Sequence, residues 1–288
     1  MDVVVTLGSS VLLLASVYGL VNIGFVLLYR TTGVPSFVQG HLVMLGGIIM
    51  ATAQQLLGGY LLPLLVTIAL TAILGWLLYQ ALMRFLSGSE EFIKAIVTFF
   101  LATVVVEITI LGWGQGGHHI AQPISERFDV GRAHISAMIF VTLAVLSVLV
   151  VLLYLILERT ITGIRMQAMA ENESLSIYSG ISVHRLSALA WAGAVALAAV
   201  AGISYSQQVD IDPSVADIGL AALPAAVFGG LNSIPGTLVG GLCFAILQTG
   251  VNYYLGGTTG FLAIYAATLV MLILRPQGLL GSVTGQRI

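Results

Sequence analysis

The sequence predicts an all-α fold, a polytopic helical bundle that crosses a membrane about eight or nine times. Of its 288 residues, 58% are hydrophobic and 8% are charged, and the mean hydropathy is +1.05. Because soluble domains carry roughly 25% charged residues, this composition excludes an ordinary soluble protein. The apolar runs are continuous rather than alternating, which excludes a β-barrel, and lipid requires every backbone polar group to be paired within a helix.

Nine apolar segments are candidates for membrane spans, and together they form a single transmembrane domain over residues 1–288. The segments are residues 9–29, 37–57, 61–83, 93–113, 135–157, 186–206, 218–232, 237–255 and 261–275. Most of them approach the roughly 20 residues that a helix needs to cross about 30 Å of hydrocarbon. The segment 218–232 is shorter and ends in Gly229-Gly230, so a broken or half-helix near 218–235 and an eight-span arrangement stay open.

The distribution of basic residues orients the chain. One set of alternating loops carries Arg30, Arg84, Lys94, Arg159, Arg165, Arg185, Arg275 and Arg287, whereas the other set carries Arg127 and Arg132. The cytosolic loops of a membrane protein are those with an excess of lysine and arginine. We therefore expect the N-terminus outside, the C-terminus in the cytosol, and the loops 113–135 and 206–217 outside.

The loop 158–185 is expected to be a cytosolic element with its own helix. Its apolar residues Ile164, Met166, Met169 and Ala170 are expected to share one face of a short amphipathic helix that lies on the membrane surface. A helix that merely tethers two spans fits the same pattern.

The chain lacks the motifs of catalysis and of ATP binding. It contains no G-x-S-x-G, no H-E-x-x-H and no pair of intramembrane aspartates, so no catalytic residue is predicted. Its single cysteine, Cys243, rules out an internal disulfide and argues against a metal site. A P-loop is also absent, so no cofactor is expected in this chain. If transport is driven by ATP, then ATP and magnesium must bind to a separate ATPase that docks on the cytosolic face.

Polar and aromatic residues within or beside the spans are candidates for the lining of a solute path. They are Asn22, Ser36, Phe37, Gln39, His41, Glu107, Asn232 and Ser233. A carboxylate such as Glu107 is costly in a membrane and usually faces a cavity or a partner. An interfacial position near Trp113 explains Glu107 equally well, and hydrogen bonds between helices explain the neutral polar residues.

Glycine and proline residues interrupt the helical pattern of residues 225–241. Gly229-Gly230 and Pro235-Gly236 should break the helix on both sides of Asn232-Ser233, while Gly236 and Gly240 form a G-x-x-x-G face suited to close helix packing. A broken helix in a bundle exposes backbone dipoles towards a cavity. Tight packing and a translocation element are both compatible with this composition.

The run VFGGLNSIPGTLVGG at residues 227–241 closely matches a glycine-rich signature of LivH-type permease subunits of the branched-chain amino acid ABC importer family, which almost the whole chain resembles. Residues 163–171, followed by Tyr178-Ser179-Gly180-Ile181, are similar to the cytosolic coupling segment of that family, and residues 275–281 are similar to its closing motif. Residues 36–41 match an N-terminal family segment in altered form.

The resemblance implies a permease subunit that forms half of a translocation path and couples to a separate ATPase. The residues implied in ATPase coupling are Gly163, Ile164, Arg165, Met166, Gln167, Ala168, Met169, Ala170 and Glu171. The implied solute is a branched-chain amino acid or a related small polar, carboxylate or amide compound. The implied partners are a second homologous permease subunit, two cytosolic ATPase subunits, an extracytoplasmic solute-binding protein and membrane lipid, with no nucleic acid. The implied location is the cytoplasmic membrane of a bacterium or archaeon.

Two other classes of function compete with this interpretation. A secondary transporter or channel that acts alone would use Glu107 as a titrating group and would need no ATPase. A membrane scaffold would transport nothing under any pairing.

Overall fold

The computed structural model describes residues 2–124, 127–130, 133–256, 259–275 and 278–280. Across these residues the chain forms eleven α-helices, a 3-10 helix at Met83–Leu86 and two short strands. The helices are α1 (Asp2–Thr32), α2 (Val38–Leu57), α3 (Leu61–Ala81), α4 (Glu91–Trp113), α5 (Met138–Arg159), α6 (Ile161–Glu171), α7 (Glu173–Tyr178), α8 (Val183–Tyr205), α9 (Val215–Gly229), α10 (Ile234–Leu255) and α11 (Thr259–Leu274). The predicted all-α membrane bundle is confirmed.

Seven of the described helices are long and apolar enough to cross a membrane, namely α1 to α5, α8 and α10. Two shorter apolar helices, α9 with 15 residues and α11 with 16, complete the set. These nine helices overlap the nine segments expected from the sequence. The chain is therefore a multi-pass membrane protein.

A small antiparallel hairpin was not expected from the sequence. It consists of β1 (Arg127–Val130) and β2 (Ala133–Ser136) and lies in the connection between α4 and α5. Arg132, Arg287, residues 276–277 and Gly281, which the sequence analysis used, lie outside the described residues.

Contacts between the connections define two ends of the bundle. At one end, which we call the hairpin end, His118 and Ile211 form an antiparallel bridge that joins the α4–α5 and α8–α9 connections. At the other, which we call the basic end, Arg30 at the end of α1 binds Glu158 at the end of α5 and the main-chain oxygen of Asn232.

Helix α9 runs from the hairpin end to the basic end. It begins four residues after Ile211, and the carbonyls of Phe228 and Gly229 at its end accept hydrogen bonds from Leu279 N (2.8 Å) and Leu280 N (3.1 Å). Its 15 residues cover roughly 22 Å, which is less than the roughly 30 Å of a hydrocarbon core. Residues 215–229 therefore form a helix that joins the two ends of the bundle, which is compatible with nine spans and leaves the eight-span arrangement open.

Helix α1 is the centre of the bundle, whereas α5 lies at its edge. In the most apolar part of each helix, 83% of the residues of α1 are buried but only 11% of those of α5. Helix α1 packs against α8 and α10, and the buried alanines 190, 194 and 198 of α8 let helices approach closely. Small side chains favour such packing in lipid, where there is no hydrophobic force between helices.

Candidate functional site

Residues 160–178 at the basic end form two helices rather than the single helix expected. Thr160 caps α6, because its Oγ1 accepts a hydrogen bond from Gly163 N (3.4 Å). Asn172 ends α6, and its Oδ1 then accepts a hydrogen bond from Leu175 N (2.8 Å) to cap α7. Such caps satisfy amide groups that a helix start leaves unpaired. We call residues 160–178 the α6–α7 segment.

The inner face of α6 packs against the ends of α1 and α5. Met166 and Met169, which are 4% and 2% exposed, share this face as predicted, and Ala170 is half-buried. The prediction for Ile164 was wrong, because this side chain is 65% exposed. Two residues along a helix rotate the side chain by about 200°, so Ile164 and Met166 point to opposite faces. Gly163 permits the close approach, since a Cβ there would overlap the main chain of Leu157.

The α6–α7 segment exposes both apolar and charged side chains. Its exposed apolar members are Ile161, Ile164, Leu175, Ile177 and Tyr178. Arg165, Gln167 and Glu171 are exposed beside them. Exposed apolar side chains with charged neighbours are typical of a protein interaction site.

Arg30 joins three elements at the basic end. Its side chain is 8% exposed and forms an ion pair with Glu158. Arg30 also donates hydrogen bonds to Asn232 O (3.0 Å) and Leu157 O (3.4 Å). A buried cation is costly unless it is paired and hydrogen-bonded, and all three contacts meet that need. The end of α5, which leads into the α6–α7 segment, is thereby tied to the turn between α9 and α10.

Glu173 ties α7 to the connection between α3 and α4. Its carboxylate accepts hydrogen bonds from Ser87 Oγ and Gly88 N (3.3 Å), and it pairs with Lys94 Nζ (3.2 Å). Burial acts to raise the pKa of Glu173, but the hydrogen bond from Ser87 and the charge of Lys94 outweigh it and hold the pKa below its ordinary value of 4.5. The ionised form is thus the one that the fold stabilises.

We expect Glu173→Gln to destabilise the protein by about 1 kcal/mol at neutral pH, because it removes the charge that Ser87 and Lys94 recognise. A depressed pKa gives a stabilising contribution that is complete above pH 4.5 and is lost as the pH falls through the folded-state value. Thermal unfolding measured between pH 7 and pH 3 should show a loss of stability at acid pH in the parent protein and a smaller loss in Glu173→Gln. The exposed Glu171→Gln is the matched control, and an equal effect of both variants would contradict the prediction.

The turn between α9 and α10 has the predicted breaks on both sides. Helix α9 ends at Gly229, Gly230 has φ +105°, and α10 begins at Ile234 with Pro235 in its first turn. The close packing predicted from the glycine pattern is also present. A Cβ at Gly236 or Gly240 would overlap main-chain atoms of α9.

Two of the candidate path residues serve this turn. Ser233 caps α10, because its Oγ accepts a hydrogen bond from Gly236 N (3.2 Å). Asn232 offers its main-chain oxygen to Arg30. Both residues lie at the basic end, where their contacts explain their presence structurally.

Asn22 and Gln39 lie in the bundle core and are fully buried. Asn22 Nδ2 donates to Thr237 O (2.8 Å), which joins α1 to α10. Gln39 Nε2 donates to Ala194 O (2.8 Å), which joins α2 to α8. Their side-chain oxygens have no hydrogen-bond partner within the described part of the chain. These two amides therefore stabilise helix contacts, in the manner that interhelical hydrogen bonding predicts.

Ser36, Phe37 and His41 lie near the start of α2. The ring of Phe37 packs edge-on against Phe99, with centroids 6.1 Å apart, and its N–H donates to Thr98 Oγ1 (3.2 Å). Ser36 is buried and His41 is half-buried.

Glu107 is exposed on the outer surface of α4, beside the exposed Val104 and Ile108. The structure therefore does not bring the eight candidate residues into a single cluster.

Sequence reasoning missed the pairing of Arg30 with Glu158 and of Lys94 with Glu173. The partners are separated by 128 and 79 residues along the chain. Charged residues at the ends of apolar spans are a weak signal for such pairs, because most of them face water.

Comparison with known proteins agrees with this architecture. Residues 8–274 match the family described as branched-chain amino acid transport system / permease component. A probable LivH permease from Methanocaldococcus jannaschii is 30% identical over 270 residues, which cover 88% of this chain and 84% of the relative. LivH from Escherichia coli K12 is 28% identical, with coverage of 93% and 92%, and BraD from Pseudomonas aeruginosa is 26% identical, with coverage of 94% and 93%. The chain belongs to the family of permease components of branched-chain amino acid transport systems.

Proposed function

We propose that this permease forms half of the translocation path of an ATP-driven importer and that its α6–α7 segment receives the ATPase. The observation that carries the proposal is the exposed apolar face around Ile164, flanked by Arg165 and Glu171, in a chain without a P-loop. A surface of this composition suits a protein partner. The chain is a transport subunit and not an enzyme, so ATP and magnesium belong to that partner.

The orientation follows from charge. The described basic residues at or near the basic end are Arg30, Arg84, Lys94, Arg159, Arg165, Arg185 and Arg275. By the positive-inside rule this end faces the cytosol, which puts the hairpin end and the N-terminus outside. The membrane is the cytoplasmic membrane of a bacterium or archaeon.

The complete importer contains a second homologous permease, two ATPases and an extracytoplasmic binding protein. The hairpin end offers a cavity of about 460 Å³ to a solute delivered by such a protein. Its polar wall includes Ser9, Ser10, Gln122, Ser206 and Gln207. Hydroxyl and amide groups suit a small neutral or zwitterionic compound, and we propose a branched-chain amino acid or a related carboxylate or amide.

The two polar clusters at the basic end provide the route by which ATPase movement reaches the spans. Arg30 and Glu158 carry a displacement of α6 to the turn between α9 and α10. Glu173 and Lys94 carry a displacement of α7 to α4.

We expect Ile164→Glu, Arg165→Ala and Glu171→Ala to uncouple ATP hydrolysis from uptake. All three side chains are exposed, so the variants should fold and reach the membrane at the level of the parent. The measurement is ATPase activity stimulated by the solute-loaded binding protein, in proteoliposomes that contain the whole importer. Arg165→Lys, which keeps the cation, is the control and should retain most of the stimulation. Unchanged stimulation in all three variants would refute this role.

Uptake without the ATPase separates this function from a secondary transporter. The purified permease should show no solute uptake driven by a proton or sodium gradient. Gradient-driven uptake that Glu107→Gln abolishes would support the rival function instead. Glu107 is exposed on the surface of α4, so it does not line an internal path of the kind that a secondary transporter would need.

A further inference from the structure

A small cavity lies where the start of α2 meets α8, below α7. Its volume is about 30 Å³, and its wall includes Ser36, Tyr79, Thr98, Glu173 and Trp191. The wall extends from the fully buried Trp191 to Lys94 and Glu173, whose side chains are 14% and 20% exposed at the basic end.

The N-terminus of α2 lies inside the bundle. Gln39, in its first turn, bonds to Ala194 near the middle of α8, so residues 33–37 run back from the basic end towards the interior. Non-helical backbone at membrane depth is tolerated where it is buried in protein or lines a cavity. The side chain of the N-cap residue, Phe37, makes no capping hydrogen bond, although Thr98 Oγ1 accepts one from Phe37 N (3.2 Å). The partial positive charge of this helix start favours an anion.

Two buried donors on the cavity wall have no hydrogen-bond partner within the described residues, namely Ser36 Oγ and Trp191 Nε1. Ser36 is 3% exposed and Trp191 is 1% exposed. An indole N–H can only donate, so the missing partner must be an acceptor.

The other polar groups on the wall already have partners. Tyr79 Oη contacts His184 Nδ1 (2.9 Å), and Thr98 Oγ1 donates to Ala95 O (2.8 Å). Glu173 is held by Lys94, so the two charges at the mouth compensate each other. The unsatisfied groups are thus an indole N–H, which can only donate, and a hydroxyl, which can also donate, beside a positive helix end.

We propose that this cavity binds a carboxylate group through Ser36 Oγ, Trp191 Nε1 and the start of α2. The volume exceeds the roughly 10–15 Å³ that one water requires, but it does not admit a whole amino acid. The carboxylate enters and the remainder of the ligand projects towards Lys94. This site deepens the proposed function, because either the carboxylate of the transported amino acid or a free cytosolic carboxylate has the required chemistry.

The fluorescence emission of Trp191 can report binding at this cavity. The chain has three tryptophans, so Trp76→Phe with Trp113→Phe leaves Trp191 as the sole indole. The full chain in lipid nanodiscs is titrated with sodium acetate at constant ionic strength, maintained with sodium methanesulfonate. A saturable change in Trp191 emission is expected. Ser36→Ala should weaken apparent acetate binding about tenfold, because it removes a hydrogen bond to a charged group. Ser182→Ala, an exposed serine that caps nothing with its side chain, is the matched control.

The source of the carboxylate is tested with leucine and leucinol. Saturation by leucine and acetate but not by leucinol identifies the transported amino acid as a ligand, and saturation by acetate alone identifies a small free carboxylate. No saturable signal, an unchanged affinity in Ser36→Ala, or equal binding of leucinol and leucine would overturn the proposal.

A second measurement keeps all three tryptophans, so it does not depend on correct folding of the single-tryptophan variant. Acetate should raise the thermal unfolding midpoint of the otherwise unaltered chain more than that of Ser36→Ala, and an equal rise would again overturn the site. Because neither readout involves uptake, loss of the importer function would leave this result intact, and the reverse also holds.

Discussion

Gly240→Ala is expected to destabilise the protein by about 2 kcal/mol, although alanine is the better helix former. A Cβ at this position would overlap Ala225 O and lie 2.9 Å from Gly229 N. Both are main-chain atoms of α9, which cannot rotate away, so the two helices must separate. Over-packing of this kind costs about 1–3 kcal/mol and exceeds the propensity gain. Unfolding in detergent, followed by circular dichroism, measures the difference.

Gly250→Ala is the matched control, because it makes the same change in the same helix. No heavy atom lies within 4 Å of a Cβ at Gly250. This variant should be neutral or slightly more stable, by up to about 1 kcal/mol. Equal stability of the two variants would show that the close approach of α9 and α10 does not constrain the fold.

Arg30→Met should destabilise the folded protein by about 3 kcal/mol and should uncouple ATP hydrolysis from uptake. The substitution keeps most of the apolar stem but leaves Glu158 and two carbonyls without their donor. Losing one partner of a buried ion pair typically costs about 3–5 kcal/mol, and the lower end applies because the Glu158 side chain is 37% exposed and can be hydrated.

A double-mutant cycle tests the pairing directly. Glu158→Met in the Arg30→Met background should cost less than it does alone, because the carboxylate no longer has its cation. Arg185→Met, at an exposed arginine of the basic end, should change stability by less than about 0.5 kcal/mol. Additive effects of Arg30→Met and Glu158→Met, or an Arg185→Met effect as large as that of Arg30→Met, would contradict the proposed link.

The spans and the α9–α10 turn were predictable because their signals are local. Length and hydropathy identify a helix that must satisfy its own backbone in lipid. Gly229-Gly230 and Pro235 act on the backbone at their own positions, so the break around residues 230–233 could be read directly.

The orientation of α6 could not be predicted from the sequence. The helix has apolar residues on both faces, with Ile161 and Ile164 opposite Met166 and Met169. Hydropathy cannot choose between two apolar faces. Gly163 decides the outcome, because only that side of the helix can approach the main chain of Leu157.

The environment of Glu107 could not be predicted for a related reason. Its position in an apolar run signals a special environment, but a membrane helix is apolar towards both lipid and protein. The pattern along α4 therefore cannot show which side faces the core. The cavity at Ser36 and Trp191 was equally hidden, since it depends on residues 155 positions apart meeting below α7.

The central position of α1 has a consequence for biosynthesis. This helix is made first, yet it packs against α8 and α10, which begin at Val183 and Ile234. The hydrogen bonds of Tyr18 to Gln248 and of Asn22 to Thr237 can form only when α10 has been synthesised. Until then these polar groups of α1 lack their final partners and face lipid or other helices. Complete assembly of the bundle should therefore be a late event that requires a nearly full-length chain, and truncation before residue 234 should leave α1 packed against α8 but without its contacts to α10.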